Sequence, residues 1–182
     1  LKKILPQSAV IGASGEHLVL SNLLRLNFVA GKAPDNTKDY DLIVLNKNGT
    51  SSSPIQVKTT MTKKRGWLLK DKHEKPIKNL FFCFVYMEAN SDKTEIYVID
   101  AKTVAYVAKI SHQISLKLPG LKGQKRNDST MRKLYRNCKN ISGVERLKNY
   151  KEYLNKTELK FLDEYSDGWI NKYKNAWQLI GK

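Results

Sequence analysis

Two apolar runs with a polar break between them constrain this chain most: Asp39-Tyr40-Asp41-Leu42-Ile43-Val44-Leu45, then 46–53, then Pro54-Ile55-Gln56-Val57-Lys58-Thr59-Thr60. Side chains of a strand alternate between its faces, so Gln56 and Lys58 project together while Ile55 and Val57 face the other way. In the first run Leu42 and Val44 oppose Ile43 and Leu45, which predicts a strand that is apolar on both faces and central. The break holds Asn48-Gly49 followed by serines, a hairpin signal, and an antiparallel return is expected. Placing Leu45 opposite Pro54 sets Asp41 opposite Lys58. An acid, an amide and an amine then share a sheet with apolar flanks, and burial of such groups costs free energy unless they are paired or hold a ligand.

Charge narrows the partners. Thirty-three Lys and Arg against seventeen Asp and Glu leave a formal charge of +16 in 182 residues. A surplus of that size repels itself and calls for an anionic partner, nucleic acid ahead of an acidic membrane. No apolar run approaches the roughly 20 residues of a spanning helix, and the N-terminus lacks the apolar core of a signal peptide. The expectation is a soluble, cytoplasmic protein. The chain opens at Leu1 without a methionine, and residues upstream of it are expected. Cys83 and Cys138 have no paired spacing, which argues against a disulfide or zinc site.

Along the chain, 8–28 predicts a helix with Glu16, Val19, Leu20, Leu23 and Leu26 or Asn27 on one face. Glu16 is either a capping-region carboxylate near Ser14-Gly15 or a core-facing acid. Gly12 and Gly15 permit a close backbone approach to a sheet or a ligand. A short strand is expected at 28–32, a turn at 33–38, and a buried strand in the apolar stretch 79–87. Another strand is expected at 95–99, with Asp100 as N-cap of a helix through Lys109. Trp67-Leu68-Leu69 reads either as a strand or as a buried turn. Lys63, Lys64 and Arg65 either solvate a loop or, given their place beside Lys58, contact a phosphate next to the scissile one. The Gly- and Lys-rich segment 117–127, with Lys122, Lys125 and Arg126, is either a solvated linker or a mobile phosphate-binding arm. His17, His73 and His112 have no ligand spacing, and Ser14 and the serines at 51–53 have no histidine partner in a recognisable arrangement.

The order of Glu16 on a helix, Asp41 on a strand and Gln56-Val57-Lys58 on the next resembles the PD-(D/E)XK nuclease superfamily over about residues 8–110. It is most similar to the Mrr-type and related small members, in which glutamine replaces the acid of the last triplet. The end of the chain, Tyr173-Lys174-Asn175-Ala176-Trp177-Gln178-Leu179-Ile180, is also similar to the ends of small members. The resemblance implies an α/β fold with a restriction-endonuclease-like mixed β-sheet core flanked by helices and a helical C-terminal extension. The chain is expected to divide into a nuclease-like core at 1–116, a flexible basic loop at 117–129 and a helical, aromatic extension at 130–182 that packs on the core.

The resemblance further implies catalytic roles for Glu16, Asp41, Gln56 and Lys58. Asp41, the Val57 carbonyl and Glu16 would be ligands of Mg²⁺ or Mn²⁺, hard cations that take oxygen donors. Lys58 would orient or deprotonate the nucleophile and stabilise charge on the phosphate. Gln56 offers a neutral oxygen where a carboxylate offers charge, which weakens the expected metal affinity, and Asp39, on the face of Asp41, is either a substitute ligand or a solvent-facing acid at the strand start. The function implied is a metal-dependent DNA endonuclease of the restriction, repair or mobile-element kind, with RNA and a homodimer as further possibilities. The alternative is a non-cleaving nucleic-acid-binding module on the same fold.

Overall fold

A computed structural model describes residues 8–34, 37, 39–46, 48–62, 64, 66–89 and 91–181. The chain forms two compact units: one from 1–63, 77–101 and 173–182, the other from 64–76 and 102–172.

The first unit is a mixed five-stranded sheet in the order β1-β2-β3-β5-β6, with helix α1 (Ser8–Arg25) on one face. The strands are β1 (Val29–Lys32), β2 (Leu42–Leu45), β3 (Ser52–Thr60), β5 (Phe81–Met87) and β6 (Thr94–Asp100). Only β3 and β5 run parallel. In β5, Phe82, Cys83, Phe84 and Val85 are all buried, as an inner strand covered on both faces requires. Val19 and Leu23 of α1 meet Leu42, Val44, Ile55, Val57 and Cys83 in the core beneath it. Each such side chain withdrawn from water stabilises the unit by about 1.5–3 kcal/mol.

The predicted helix ends earlier than its periodicity suggests. Asn27 adopts φ +61°, and the Phe28 amide donates to the Leu23 carbonyl at 3.0 Å, closing the last turn in a Schellman pattern. Leu26, expected on the buried face, is half exposed for that reason. Past the helical regions, 173–181 rejoins the first unit. Lys174 bridges Tyr97, the Asn175 amide donates to the Ile96 carbonyl, and Ala176, Trp177 and Ile180 enter the core. This segment covers the outer edge of β6, which would otherwise offer an unpaired ladder.

The hairpin register differs from the expected one by two residues. Leu45 lies opposite Ser52 and Leu42 opposite Ile55, which sets Asp41 opposite Gln56 instead of Lys58. The cause is the Asn46 side chain, whose Oδ1 accepts from the Thr50 and Ser51 amides while the Asn46 amide donates to the Ser51 carbonyl. That clasp fixes a shorter, earlier-closing loop in which Gly49 takes φ +67°. β2 is also less central than predicted: Leu42 and Val44 are buried, whereas Leu45 is exposed at the strand end.

In the second unit, β4 (Trp67–Lys70) pairs antiparallel with β7 (Met131–Leu134), so Trp67-Leu68-Leu69 is a strand. β7 falls in the region expected to be helical, because Arg132 and Leu134 alternate inward against the buried Trp67 and Leu69. Gly66 is needed here. It takes φ +65°, and a Cβ on it would stand 2.1 Å from the Leu134 carbonyl oxygen. Helix α2 (Ala101–Lys117) follows Asp100 directly and runs well past Lys109, since Ile114 and Leu118 continue its buried stripe. Short α3 (Ser142–Arg146) and α4 (Lys156–Glu164) complete the unit, with a capping box between Asn155 and Glu158 starting α4. Phe161 stacks on Tyr165, which meets Trp169 edge-on, and the Trp169 indole donates to the Tyr135 carbonyl at 3.1 Å.

Candidate active site

The ladder between β2 and β3 stops at Leu42 and Ile55, leaving the rest of β3 without a neighbour on that edge. Asp41 takes the place of one. Its amide donates to the Ile55 carbonyl at 2.8 Å, and its Oδ2 accepts the Val57 amide at 2.6 Å. The same oxygen accepts the Gln56 Nε2 at 3.3 Å. This bond sets the amide orientation, since the flipped amide would place two acceptors together. Gln56 Oε1 is therefore turned away from the carboxylate, buried and without a hydrogen-bond partner among the described residues.

The N–H and C=O of one strand residue leave along the same edge, as in the paired bonds an antiparallel ladder exchanges. The Val57 carbonyl thus leaves β3 on the edge where Asp41 stands. The carboxylate of Asp41, the Val57 carbonyl and the orphaned Gln56 Oε1 are all oxygen donors, a set that suits a hard divalent cation. Among the described residues no group of three or more His, Cys, Asp or Glu side chains is placed to hold a metal. A cation here would depend on neutral oxygens for most of its protein ligands.

Glu16 reaches the same end of the sheet by a different route. At Gly15 a Cβ would lie 1.9 Å from Thr59 Oγ1, so the α1 backbone rests directly on β3 one residue from Lys58. Gly12 has open space around it, so the close approach predicted for both glycines belongs to Gly15 alone. Glu16 Oε2 pairs with Lys32 Nζ at 3.0 Å. Lys32 lies opposite Leu42, on the α1 face of the sheet, whereas Gln56 and Lys58 project from the other face. The structure thus gathers Asp41, Gln56 and Val57, with Lys58 half-buried on the face of Gln56, and gives Glu16 an ion pair of its own.

Lys32, the ion-pair partner of Glu16, is a residue that the sequence did not single out. Its signal was present: it ends a strand ahead of Asp41, and an antiparallel return sets Lys32 opposite Leu42, next to Asp41. Asp39 is half-buried just ahead of β2. Lys63 and Arg65 lie outside the described residues, while Lys64 is exposed in the second unit, with Lys122 and Lys125 also exposed there. Arg126 is half-buried, its guanidinium donating to Ser115 Oγ at 3.0 Å and to the Pro119 carbonyl at 3.5 Å. His73 is buried with its Nδ1 on the Lys70 backbone, and His112 binds Asp128 at 2.7 Å. Both cysteines are free and buried.

No family model matches the chain, and no curated protein matches it. Among solved structures, it is similar to a bacterial homing endonuclease, I-Ssp6803I, at 15% identity and a TM-score of 0.42, over 55% of this chain and 70% of that one. A likeness that partial says nothing of what this chain does. Among the described residues no helix is long and apolar enough to cross a membrane.

Proposed function

We propose that the chain is a metal-dependent DNA endonuclease of the PD-(D/E)XK type, with Asp41, Gln56 and Lys58 at its centre. The observation that carries this reading is the buried, partnerless Gln56 Oε1 beside a carboxylate fixed on the Val57 amide. Asp41, the Val57 carbonyl and Gln56 would hold Mg²⁺ or Mn²⁺, with Glu16 joining once released from Lys32. A divalent cation bound there supplies Lewis acidity and charge neutralisation to a phosphodiester. Lys58, on the Gln56 face, donates to a non-bridging phosphoryl oxygen and holds the attacking water in line. Water attacks phosphorus, the P–O bond to the leaving strand breaks, the water's proton passes to solvent, and the departing oxygen takes a proton from solvent. A nucleic acid is the expected substrate class because of the +16 charge.

The test is plasmid cleavage with Mg²⁺, Mn²⁺ or EDTA by the wild type, Asp41→Asn and Lys58→Ala. Metal-dependent cleavage that vanishes in both variants while their melting temperatures hold supports the nuclease. Two observations favour the second reading, a non-cleaving nucleic-acid-binding module: the amide at position 56 and the lack of a three-ligand acidic or thiol cluster among the described residues. Nucleic-acid binding by a wild type that neither takes up divalent cation nor cleaves would establish it.

A further inference from the structure

On the second unit, α2, the loop after it and β7 enclose a cavity of about 260 Å³ walled by Ser111, Ser115, Ser142, Arg126, Arg132 and Lys133. A neighbouring cavity of about 250 Å³ shares Lys133, Tyr135 and Ser142 with it and adds Lys64. Shared walls make the two a continuous groove. It brings together Lys64 and Arg126, which belong to separate basic segments of the sequence.

The cations in this groove are not equivalent. Arg132 is buried and already satisfied by Glu74, by the Ser129 and Met131 carbonyls and by Asp128 at 3.5 Å. Asp128 is in turn taken by His112 and the Ser129 amide, contacts that hold its carboxyl below the usual carboxylate range. Lys133 and Lys64 have no ion-pair partner among the described residues. Arg126 is committed through two nitrogens, yet its Nε is buried with no acceptor among the described residues. An N–H in that state costs free energy until an acceptor arrives. Against these donors the lining offers one carboxylate, Glu145, at the Lys64 end.

A ligand that meets one orphaned guanidinium donor, two unpaired ammonium groups and a set of hydroxyls must be anionic and rich in acceptor oxygens. Cavities of this size are too small for a drug-sized ligand, which needs roughly 300–1,000 Å³, but hold a phosphate with its ester oxygens. We propose that the groove seats successive phosphates of a nucleic-acid strand, one at Arg126 and Lys133 and the next at Lys64. This inference rests on the nucleic-acid reading above and is independent of whether the Asp41 site cleaves.

The test is fluorescence anisotropy of the full chain on labelled oligonucleotides across a salt series. The proteins are wild type, Lys133→Gln, Arg126→Gln, Arg126→Lys and, on the exposed face of α2, Lys102→Gln. Each loss of a phosphate-contacting charge lowers the slope of log K against log salt by about one unit. Lys133→Gln and Arg126→Gln are expected to do so, whereas Arg126→Lys and Lys102→Gln are expected to keep the wild-type slope. Lys133→Gln breaks no ion pair among the described residues, so it decides the matter even if Arg126→Gln folds poorly. An effect that disappears when the 5′-phosphate is removed assigns the site to a strand end, and one that persists assigns it to internal phosphates. A wild-type slope in Lys133→Gln, or a wild type that binds no oligonucleotide, overturns the groove. Cleavage that continues beside an unchanged slope would fault the groove alone. Groove-dependent binding without cleavage would fault the nuclease alone.

Discussion

The Asp41 carboxylate stands in for a missing strand: it accepts the Val57 amide at 2.6 Å where β2 no longer reaches β3. One side chain therefore has a structural duty and a proposed chemical one, and the two separate by substitution. Asp41→Asn keeps an acceptor for the amide and is expected to fold with nearly wild-type stability. Asp41→Ala leaves a buried N–H unpaired and should lose about 1–3 kcal/mol. Urea denaturation of the pair checks this, and equal stabilities would show that the bond contributes nothing.

Gln56→Glu places a second carboxylate where an amide now donates to Asp41 at 3.3 Å. Without metal the two anions repel, so the variant should melt below wild type in EDTA. Mg²⁺ would remove the repulsion and raise the melting temperature more in the variant than in wild type. A variant whose melting is indifferent to Mg²⁺ would mean that no cation binds between these residues.

Gly15→Ala is the sharpest packing test. The new methyl would stand 1.9 Å from Thr59 Oγ1, so α1 must lift from β3. Overpacking of this kind costs typically about 1–3 kcal/mol, against a helix-propensity gain of up to roughly 1 kcal/mol. Net destabilisation is expected, together with weakened activity if Glu16 serves the site. Gly12→Ala, facing open space, should be neutral or stabilising.

The thiols predict an alkaline limit. Burial pushes the Cys138 thiol up to about 12, only partly offset by its hydrogen bond to Ser111, and raises Cys83 further. The unfolded chain loses these protons near pH 8.5 while the folded chain keeps them. Their stabilisation is thus complete below about pH 8.5, then falls by roughly 1.4 kcal/mol per pH unit per thiol until the folded value is reached. Denaturation at pH 8, 9 and 10 reads the slope. Native protein should also resist Ellman's reagent at pH 8, and rapid labelling would contradict the burial.

What the sequence determined by itself is what repeats locally. Alternation fixed that Gln56 and Lys58 share a face, the unbroken apolar run at 79–87 announced an inner strand, and the charge excess pointed to an anionic partner. Tertiary structure decided the register. A slip of two residues leaves every side chain on its own face, so alternation cannot detect it, and the Asn46 clasp settled that Asp41 meets Gln56. It likewise decided that Gly15 and not Gly12 meets the sheet, and that Glu16 pairs with Lys32. The groove joining Lys64 to Lys133 and Arg126 has no sequence signature, because its walls come from segments that adjoin only after β4 pairs with β7. Periodicity reports what a residue's neighbours along the chain require. Contacts between distant segments depend on loop closure and packing, which no local pattern encodes.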